Sequence, residues 1–442
     1  MNNIKIDLFK LHDPEKDNSL RKCIVAKGLN LNEKIKVLIS ELKSKGWRTT
    51  DLINYFMKKY NLSSSSVQRL LFDYKIWYPL FFIEDLLILN NKLEDKYIFQ
   101  ENIEFLKVTQ PPVKIYKVPK ILTLDLCKIA GAHAADGTVR NNYISITDRD
   151  KSNIEVLVSW IYNQFNIKYS IIKISENEYG IKFNSKIISR FLTKIFEFPN
   201  GFKTYNFKEP KIIKYSSYEF RKAYTIGAII FEGGVGIIPQ LQFSVTNKLF
   251  RDSIYEVLSK SLPEETIVIN KTTNNLWRLW TKCKTKKEYQ ILMSFFEERT
   301  EKWYKLNDFI NGFNSRAKNI NSAIQILSQI YPKKGSKYSL LGIFFIIKEL
   351  KSSSRNEIVN KFYQINHLNF GDKIWTHSLM NYLNILKRCN IIKVEKGRFG
   401  KKKSFGTIIR EVYNFNENIE EWKLPYRPWL NKLYQKNLFN LV

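Results

Sequence analysis

Acidic residues are scarce in this chain of 442 residues: 42 Asp and Glu stand against 72 Lys and Arg, a formal charge of +30. An excess that large suits a polyanionic partner, either nucleic acid or an acidic membrane surface. Cysteine is scarcer still. Cys23, Cys127, Cys283 and Cys389 lie far apart with no CxxC pair, which excludes a zinc finger. They read as reduced thiols of an intracellular protein, in cytoplasm, nucleoid or an organelle. The four histidines are as scattered, so no His-rich metal site is visible. Long apolar runs are also missing. Glu84 and Asp85 interrupt the stretch from Ile76 to Asn90, and Leu340 to Ile347 is too short to cross a bilayer. The first residues carry no apolar h-region, so no signal peptide is expected, and no membrane insertion. What is abundant is core material: 44% hydrophobic and 14% aromatic residues exclude a disordered chain. At roughly 150 residues per domain the length suggests about three domains.

Residues 1–120 are expected to be a helical domain. Leu38, Ile39, Leu42, Leu52, Ile53, Phe56 and Met57 recur at helical spacing. Gly46 breaks the first helix, Thr49 and Thr50 are natural N-caps for the next, and Ser64 or Ser65 opens a third carrying Val67, Leu70 and Leu71. A helix-turn-helix module and a small helical packing domain both fit this layout. Residues 335–442 are expected to form a second flanking domain. Helices over Leu340–Leu350, Arg355–Ile365 and Trp375–Cys389 precede a hairpin whose tip holds Arg398, Lys401, Lys402 and Lys403 between glycines. The charge, the glycines and the strand alternation together favour a winged helix, with a wing that meets backbone phosphates, over a solvated basic loop. Trp422, Pro425 and Trp429 in the tail are expected to pack back onto this domain.

Between the flanks the chain repeats itself. Ile129-Ala130-Gly131-Ala132-His133-Ala134-Ala135-Asp136-Gly137 is answered by Thr225-Ile226-Gly227-Ala228-Ile229-Ile230-Phe231-Glu232-Gly233. Each acid follows a glycine by five places and precedes another, and the two acids are 96 residues apart. A glycine inside a helix costs about 1 kcal/mol against alanine, so it needs a reason. Two helices packed at very close range supply one, through Gly131, Ala134, Ala135, Gly227 and Ala228. Gly137 and Gly233 suit the left-handed position that ends a helix. Each acid then sits at a negative helix terminus, where a carboxylate is disfavoured. An unfavourable charge placed twice at one offset points to a bound cation. The surroundings repeat as well: alternating Tyr143–Thr147 and Leu241–Thr246 read as strands, Ile154–Phe165 and Leu249–Leu258 as helices. Further hairpins follow over 170–183 and 266–284, with Asn177-Glu178 and Asn274-Asn275 as turns.

Over residues 121–312 this pattern resembles a single-chain, two-motif LAGLIDADG homing endonuclease, the dodecapeptide or DOD type. His133 and Ala134 depart from the first motif, where the family has an apolar residue and an acid; Glu232 replaces the second aspartate. The resemblance implies an α+β core of duplicated αββαββα units, 121–215 and 216–325, related by pseudo-twofold symmetry. It also implies that Asp136 and Glu232 bind Mg²⁺ or Mn²⁺ over the scissile phosphates, with the carbonyls of Ala135 and Phe231 adding ligands. Hard carboxylate oxygens suit such a metal, which activates water for in-line displacement. The family also uses a basic residue near each site. Lys208 lies 72 residues after Asp136 and Lys305 lies 73 after Glu232, so both are expected to polarise water or stabilise phosphate charge. DNA contacts are expected from polar strand positions: Tyr143, Ser145 and Thr147 in the first copy, Gln240, Gln242, Ser244 and Thr246 in the second. Asn247, Arg251, Arg278, Lys282 and Lys284 follow. Gln, Asn and Arg read base edges, whereas Lys mostly meets phosphate.

The leading expectation is a monomeric, site-specific endonuclease acting on a long double-stranded DNA target. The alternative is a LAGLIDADG protein that binds without cutting, either a maturase on intron RNA or a DNA-binding regulator. The ends lack the splice-junction residues of an intein, so a free-standing, intron-homing protein is expected.

Overall fold

The computed structural model describes the chain except residues 1–2, 14–16, 18–19, 21, 74–75, 112, 177, 202–206, 236–239, 273–275, 312–318, 329–339, 366–375, 402–406 and 423–442. The fold is mixed α+β, with several small antiparallel sheets and many helices. Contacts divide it into two compact units: residues 1–234, 240–283 and 294–302, and residues 235–239, 284–293 and 303–442. The expected boundaries at 120/121 and 215/216 therefore fall inside the first unit.

The first 120 residues are less purely helical than their periodicity implies. Strands β1 (Ile24–Lys27), β2 (Tyr78–Pro79), β3 (Phe105–Val108) and β4 (Ile115–Lys117) form a sheet of order β2-β1-β3-β4 beside helices α1 (Leu31–Ser44), α2 (Thr49–Tyr60), α3 (Ser64–Phe72), α4 (Leu80–Leu89) and α5 (Lys96–Gln100). Such short strands carry too few alternations to show in the sequence. Helix α1 buries Leu31, Ile35, Leu38, Ile39 and Leu42, an apolar stripe along one face. Gly46, at φ +94°, follows its end. The caps shift by one residue from expectation. Ser63, not Ser64 or Ser65, caps α3 by accepting from Ser66 N at 3.3 Å. Arg48 precedes α2, and its N–H donates to Asp51 at 3.0 Å.

A buried ion cluster ties this region to the rest of the unit. Asp17 is fully buried, and its carboxylate accepts from Arg190 Nη2 at 2.9 Å, from Asp13 N at 3.0 Å, and from Lys186 Nζ. Burial alone would raise its pKa, but hydrogen bonds from His12, Arg190 and Lys186 outweigh that and hold the carboxyl far below the usual range. Removing one partner of such a set strands the others, at about 3–5 kcal/mol. Asp17→Asn is therefore expected to lower stability by that order in urea unfolding at pH 7. Because the folded-state pKa is depressed, this stabilisation is complete above an ordinary carboxyl pKa of about 4 and is lost as pH falls below it. The gap between variant and parent should shrink from pH 5 towards pH 2; a gap independent of pH would refute the assignment.

The two copies follow. The first runs α6 (Leu124–Asp136), β5 (Gly137–Arg140), β6 (Tyr143–Asp148), α7 (Lys151–Phe165), β7 (Ile172–Ser175), β8 (Glu178–Asn184) and α8 (Lys186–Arg190). After a short helix α9 (Lys211–Lys214), the second runs α10 (Tyr218–Glu232), β9 (Gly233–Val235), β10 (Leu241–Val245), α11 (Lys248–Ser259), β11 (Ile267–Lys271) and β12 (Trp277–Thr281). The sheets have matching orders, β5-β6-β8-β7 and β9-β10-β12-β11. The expected turn residues Asn177, Asn274 and Asn275 lie outside the described residues.

In the second unit, α12 (Lys286–Met293), α13 (Glu301–Asn311, whose first two residues belong to the first unit) and α14 (Ile320–Ser328) precede residues 340–415. There α15 (Leu340–Leu350), β13 (Ser352–Ser354), α16 (Arg355–Ile365), α17 (Thr376–Arg388), β14 (Ile392–Lys401) and β15 (Thr407–Phe415) follow one another, with sheet order β13-β15-β14. Trp422 is fully buried in the core of this unit, and its indole N–H donates to Asn416 O at 2.8 Å. Pro425 and Trp429 lie outside the described residues. All four cysteines are buried, and none of them is in a disulfide. No described helix is long and apolar enough to cross a membrane.

Candidate functional site

The site begins with two anchored helices. Thr123 caps α6 by accepting from Leu126 N at 3.2 Å. At the start of α10, buried Arg221 donates to Glu209 at 2.9 and 3.0 Å and to Glu256 at 2.8 and 3.0 Å. Helices α6 and α10 then pack against each other. A Cβ on Gly131 would fall 2.0 Å from the Tyr224 carbonyl oxygen, and one on Gly227 would fall 2.0 Å from that of Lys128. Each glycine thus receives the backbone of the other helix, and Ala134 and Ala228 are buried beside them in sequence.

The terminal glycines behave differently from expectation. Gly137 and Gly233 have φ of −79° and −78° with extended ψ, so neither is left-handed. Each is at once the end of its helix and the first residue of a strand, which leaves no room for a left-handed cap. Glycine is needed there for space: a Cβ on Gly137 would lie 2.3 Å from His133 Nδ1, and one on Gly233 2.4 Å from Ile229 O. His133 itself is buried, edge-on to Phe198 at 4.8 Å between ring centroids.

Both helix ends open on one cleft of about 1180 Å³, lined by Asp136, Thr147, Asp148, Arg149, Ser175, Glu178, Phe231, Glu232, Gly233 and Gly234. Four carboxylates face one guanidinium there, in a chain of net charge +30. A phosphate entering alone would be repelled, whereas a cation would be attracted. Among the described residues no three His, Cys, Asp or Glu side chains gather into a ready-made metal cluster. Mg²⁺ does not require one, because it keeps several waters and takes one or two carboxylates plus substrate phosphates. The hard oxygens of Asp136 and Glu232 fit that demand. Phe231 is on the cleft wall, whereas Ala135 is half-buried and is not among the lining residues. Lys208 is exposed and also absent from the lining. Lys305 lies on α13 in the second unit.

Asp148 and the network that holds it were not singled out by the sequence, and Glu178 was expected only as a turn residue, whereas it opens β8 and pairs with Ser175. Asp148 accepts from Asp150 N at 2.7 Å and from Asn153 Nδ2 at 3.0 Å. That amide also donates to the Ile230 carbonyl of α10 at 3.1 Å, and Lys302 Nζ donates to the same oxygen. Burial raises the Asp148 pKa, against the lowering effect of Asp150 N–H, the Lys302 charge and Asn153.

Pairing places the other expected residues. Tyr143 and Ser145 lie opposite Asn184 and Lys182 of β8 and opposite Arg140 and Thr138 of β5. Gln242 and Ser244 lie opposite Trp280 and Arg278, and Asn270 lies opposite Arg278 on the far side. Cross-strand partners share a face, so Thr138, Arg140, Lys182, Asn184, Asn270 and Trp280 join the open faces. Polar–apolar alternation over Thr138-Val139-Arg140 was the signal that could have found the first two. Thr147 is half-buried on the cleft wall, Gln240 is half-buried, and Thr246, Lys282 and Lys284 are exposed, the last in the second unit. Two expected DNA contacts point inward instead. Asn247 is buried because it caps α11, accepting from Phe250 N at 3.0 Å while donating to Phe207 O at 2.9 Å. Arg251 is 4% exposed, with its guanidinium 4.5 Å from the Trp277 ring. Arg398 and Lys401 belong to β14, opposite Ile409 and Thr407. Lys402 and Lys403 lie outside the described residues.

No family model matches the chain, and no curated relative matches it. Among solved structures it is similar to I-DmoI in complex with DNA and Mn, at 15% identity over 36% of this chain and 89% of that one, TM-score 0.28. It is similar to the N-terminal LAGLIDADG domain of DUF199/WhiA at 13% identity, covering 39% and 82%, TM-score 0.28. Full-length DUF199/WhiA from Thermatoga maritima matches at 12% identity, covering 60% and 92%, TM-score 0.31.

Proposed function

We propose that this chain is a site-specific, metal-dependent endonuclease that hydrolyses both strands of a long DNA target. One observation carries the reading: two helices locked together at Gly131 and Gly227 deliver Asp136 and Glu232 to the same acidic cleft of a strongly basic protein. Asp136 and Glu232 would hold Mg²⁺ or Mn²⁺, with the carbonyls of Phe231 and Ala135 as further donors. The bound metal supplies activation of water and neutralisation of charge on the scissile phosphate. Lys208 and Lys305 would supply the basic groups that stabilise phosphate charge, although neither is among the residues of the cleft wall. The open strand faces orient the duplex, with Arg140, Lys182 and Arg278 meeting phosphate or guanine edges and Gln242, Asn184 and Asn270 meeting bases. Two half-sites on one chain make the working unit a monomer. The helices α1–α3 and the α15–β15 segment, the latter as a winged helix, extend the footprint through phosphate contacts.

Digestion of genomic DNA with Mg²⁺, the break ends being mapped by sequencing and Asp136→Asn run in parallel, tests this. A few discrete breaks that vanish in the variant are the expected result. Firm binding to duplex DNA or to intron RNA without breaks would overturn it in favour of a non-cleaving binder.

A further inference from the structure

The two copies differ at the point where strand meets helix. Asp150 and Asn247 each cap the helix that follows, which aligns Asp148 with Val245 and Asn153 with Phe250. The first copy therefore has an acid and an amide where the second has two buried apolar side chains. Asn153 is fully buried. Its amide joins Asp148 at 3.0 Å to the Ile230 carbonyl at 3.1 Å, and Lys302 Nζ donates to that same carbonyl. A carbonyl in the last turn of a helix has lost its intrahelical partner, because β9 begins at Gly233. Side chains have taken the place of that partner, two residues before Glu232. Residue 301 is held to the same corner, its N–H donating to Ser152 Oγ at 3.2 Å.

We propose that Asp148, acting through Asn153, is a positioning residue that clamps the end of α10 and so fixes Glu232, giving the Glu232 half of the cleft a support its partner half builds differently. The inference rests on the endonuclease reading for its catalytic consequence: the two strands are cut with unequal dependence on this clamp. Asp148→Ala removes the acceptor that orients the Asn153 amide, and Asn153→Ala removes the link itself. Asp148→Asn keeps a carbonyl oxygen for Asn153 but no charge for Lys302, so it lies between the parent and Asp148→Ala.

Two readouts test the clamp on the full-length protein. Amide hydrogen exchange over residues 230–234 needs no cleavage; it is expected to speed up about tenfold in Asn153→Ala and Asp148→Ala. Each strand of an end-labelled target is then timed separately, the Glu232-dependent strand being the one that Glu232→Gln leaves intact. That strand is expected to slow about tenfold more than the other, in the order Asp148→Ala, Asp148→Asn, parent, with thermal midpoints retained. Unchanged exchange overturns the clamp. Faster exchange with both strands slowed equally overturns the asymmetry. If the parent protein cuts neither strand, the endonuclease reading falls and takes the strand asymmetry with it, while the exchange result still decides the clamp.

Discussion

Alanine at Gly227 is expected to destabilise the first unit by about 2–3 kcal/mol, with Gly131→Ala close behind. The sign is not obvious from helix propensity, since alanine in a helix interior gains about 1 kcal/mol over glycine. Packing decides it. The added Cβ would meet the Lys128 carbonyl oxygen at 2.0 Å and its carbon at 2.8 Å; at Gly131 it would meet Tyr224 O at 2.0 Å and Ala228 N at 2.8 Å. All four atoms are backbone of the facing helix, so no side chain can swing aside and the helices must separate. Overpacking of that kind costs 1–3 kcal/mol and more where relief is blocked. Gly234 is the control, because a Cβ there meets only Gln242 O at 3.8 Å, an ordinary contact. Urea midpoints should fall for Gly131→Ala and Gly227→Ala at unchanged slope and hold for Gly234→Ala. Equal midpoints for all three would show that the helices do not pack at this range.

That contrast shows what kind of information the sequence carried. The motif glycines were legible because an i, i+5 glycine–acid spacing repeats, and repetition is visible without a structure. The strands and helices of the two copies were legible from period, their limits less so: the strand expected over 143–147 runs Tyr143–Asp148, and the helix expected from Ile154 begins three residues earlier, at Lys151. Gly137 and Gly233 were misread because the residue type is the same whether glycine is wanted for a positive φ or for room. Only the strand that starts at once decides between the two. Asn247 was expected to face DNA because a polar residue after a strand is equally good as a cap or as a DNA contact, and Arg251 because a guanidinium looks the same in sequence whether it covers an indole ring or a phosphate. Asp148 and Asn153 were missed for a different reason. Asn153 donates to a main-chain carbonyl 77 residues away and Asp148 acts through Asn153, and a carbonyl leaves no trace in residue identity. The short strands β1–β4 were missed because two to four residues do not define a period.

Asp136→Asn and Glu232→Gln should each lower double-strand cleavage by about 10³-fold, the effect of several kcal/mol of transition-state stabilisation. Both substitutions keep the shape of the side chain and its capacity for hydrogen bonding, and remove one negative charge from a cleft that holds four carboxylates. Affinity for the uncut duplex should therefore hold or rise, because the same charge that recruits a cation repels the phosphate when no cation is present. If, as proposed, each acid serves its own strand, the residual product of either variant should be nicked rather than linear. Fluorescence anisotropy on a mapped target gives the binding arm, and supercoiled plasmid carrying that target separates nicked from linear product. Linear product forming at the parental rate in either variant would remove that acid from the chemistry. Binding lost together with cleavage would instead make the acids part of the fold, since a charge that only organises α6 or α10 has no reason to separate the two measurements.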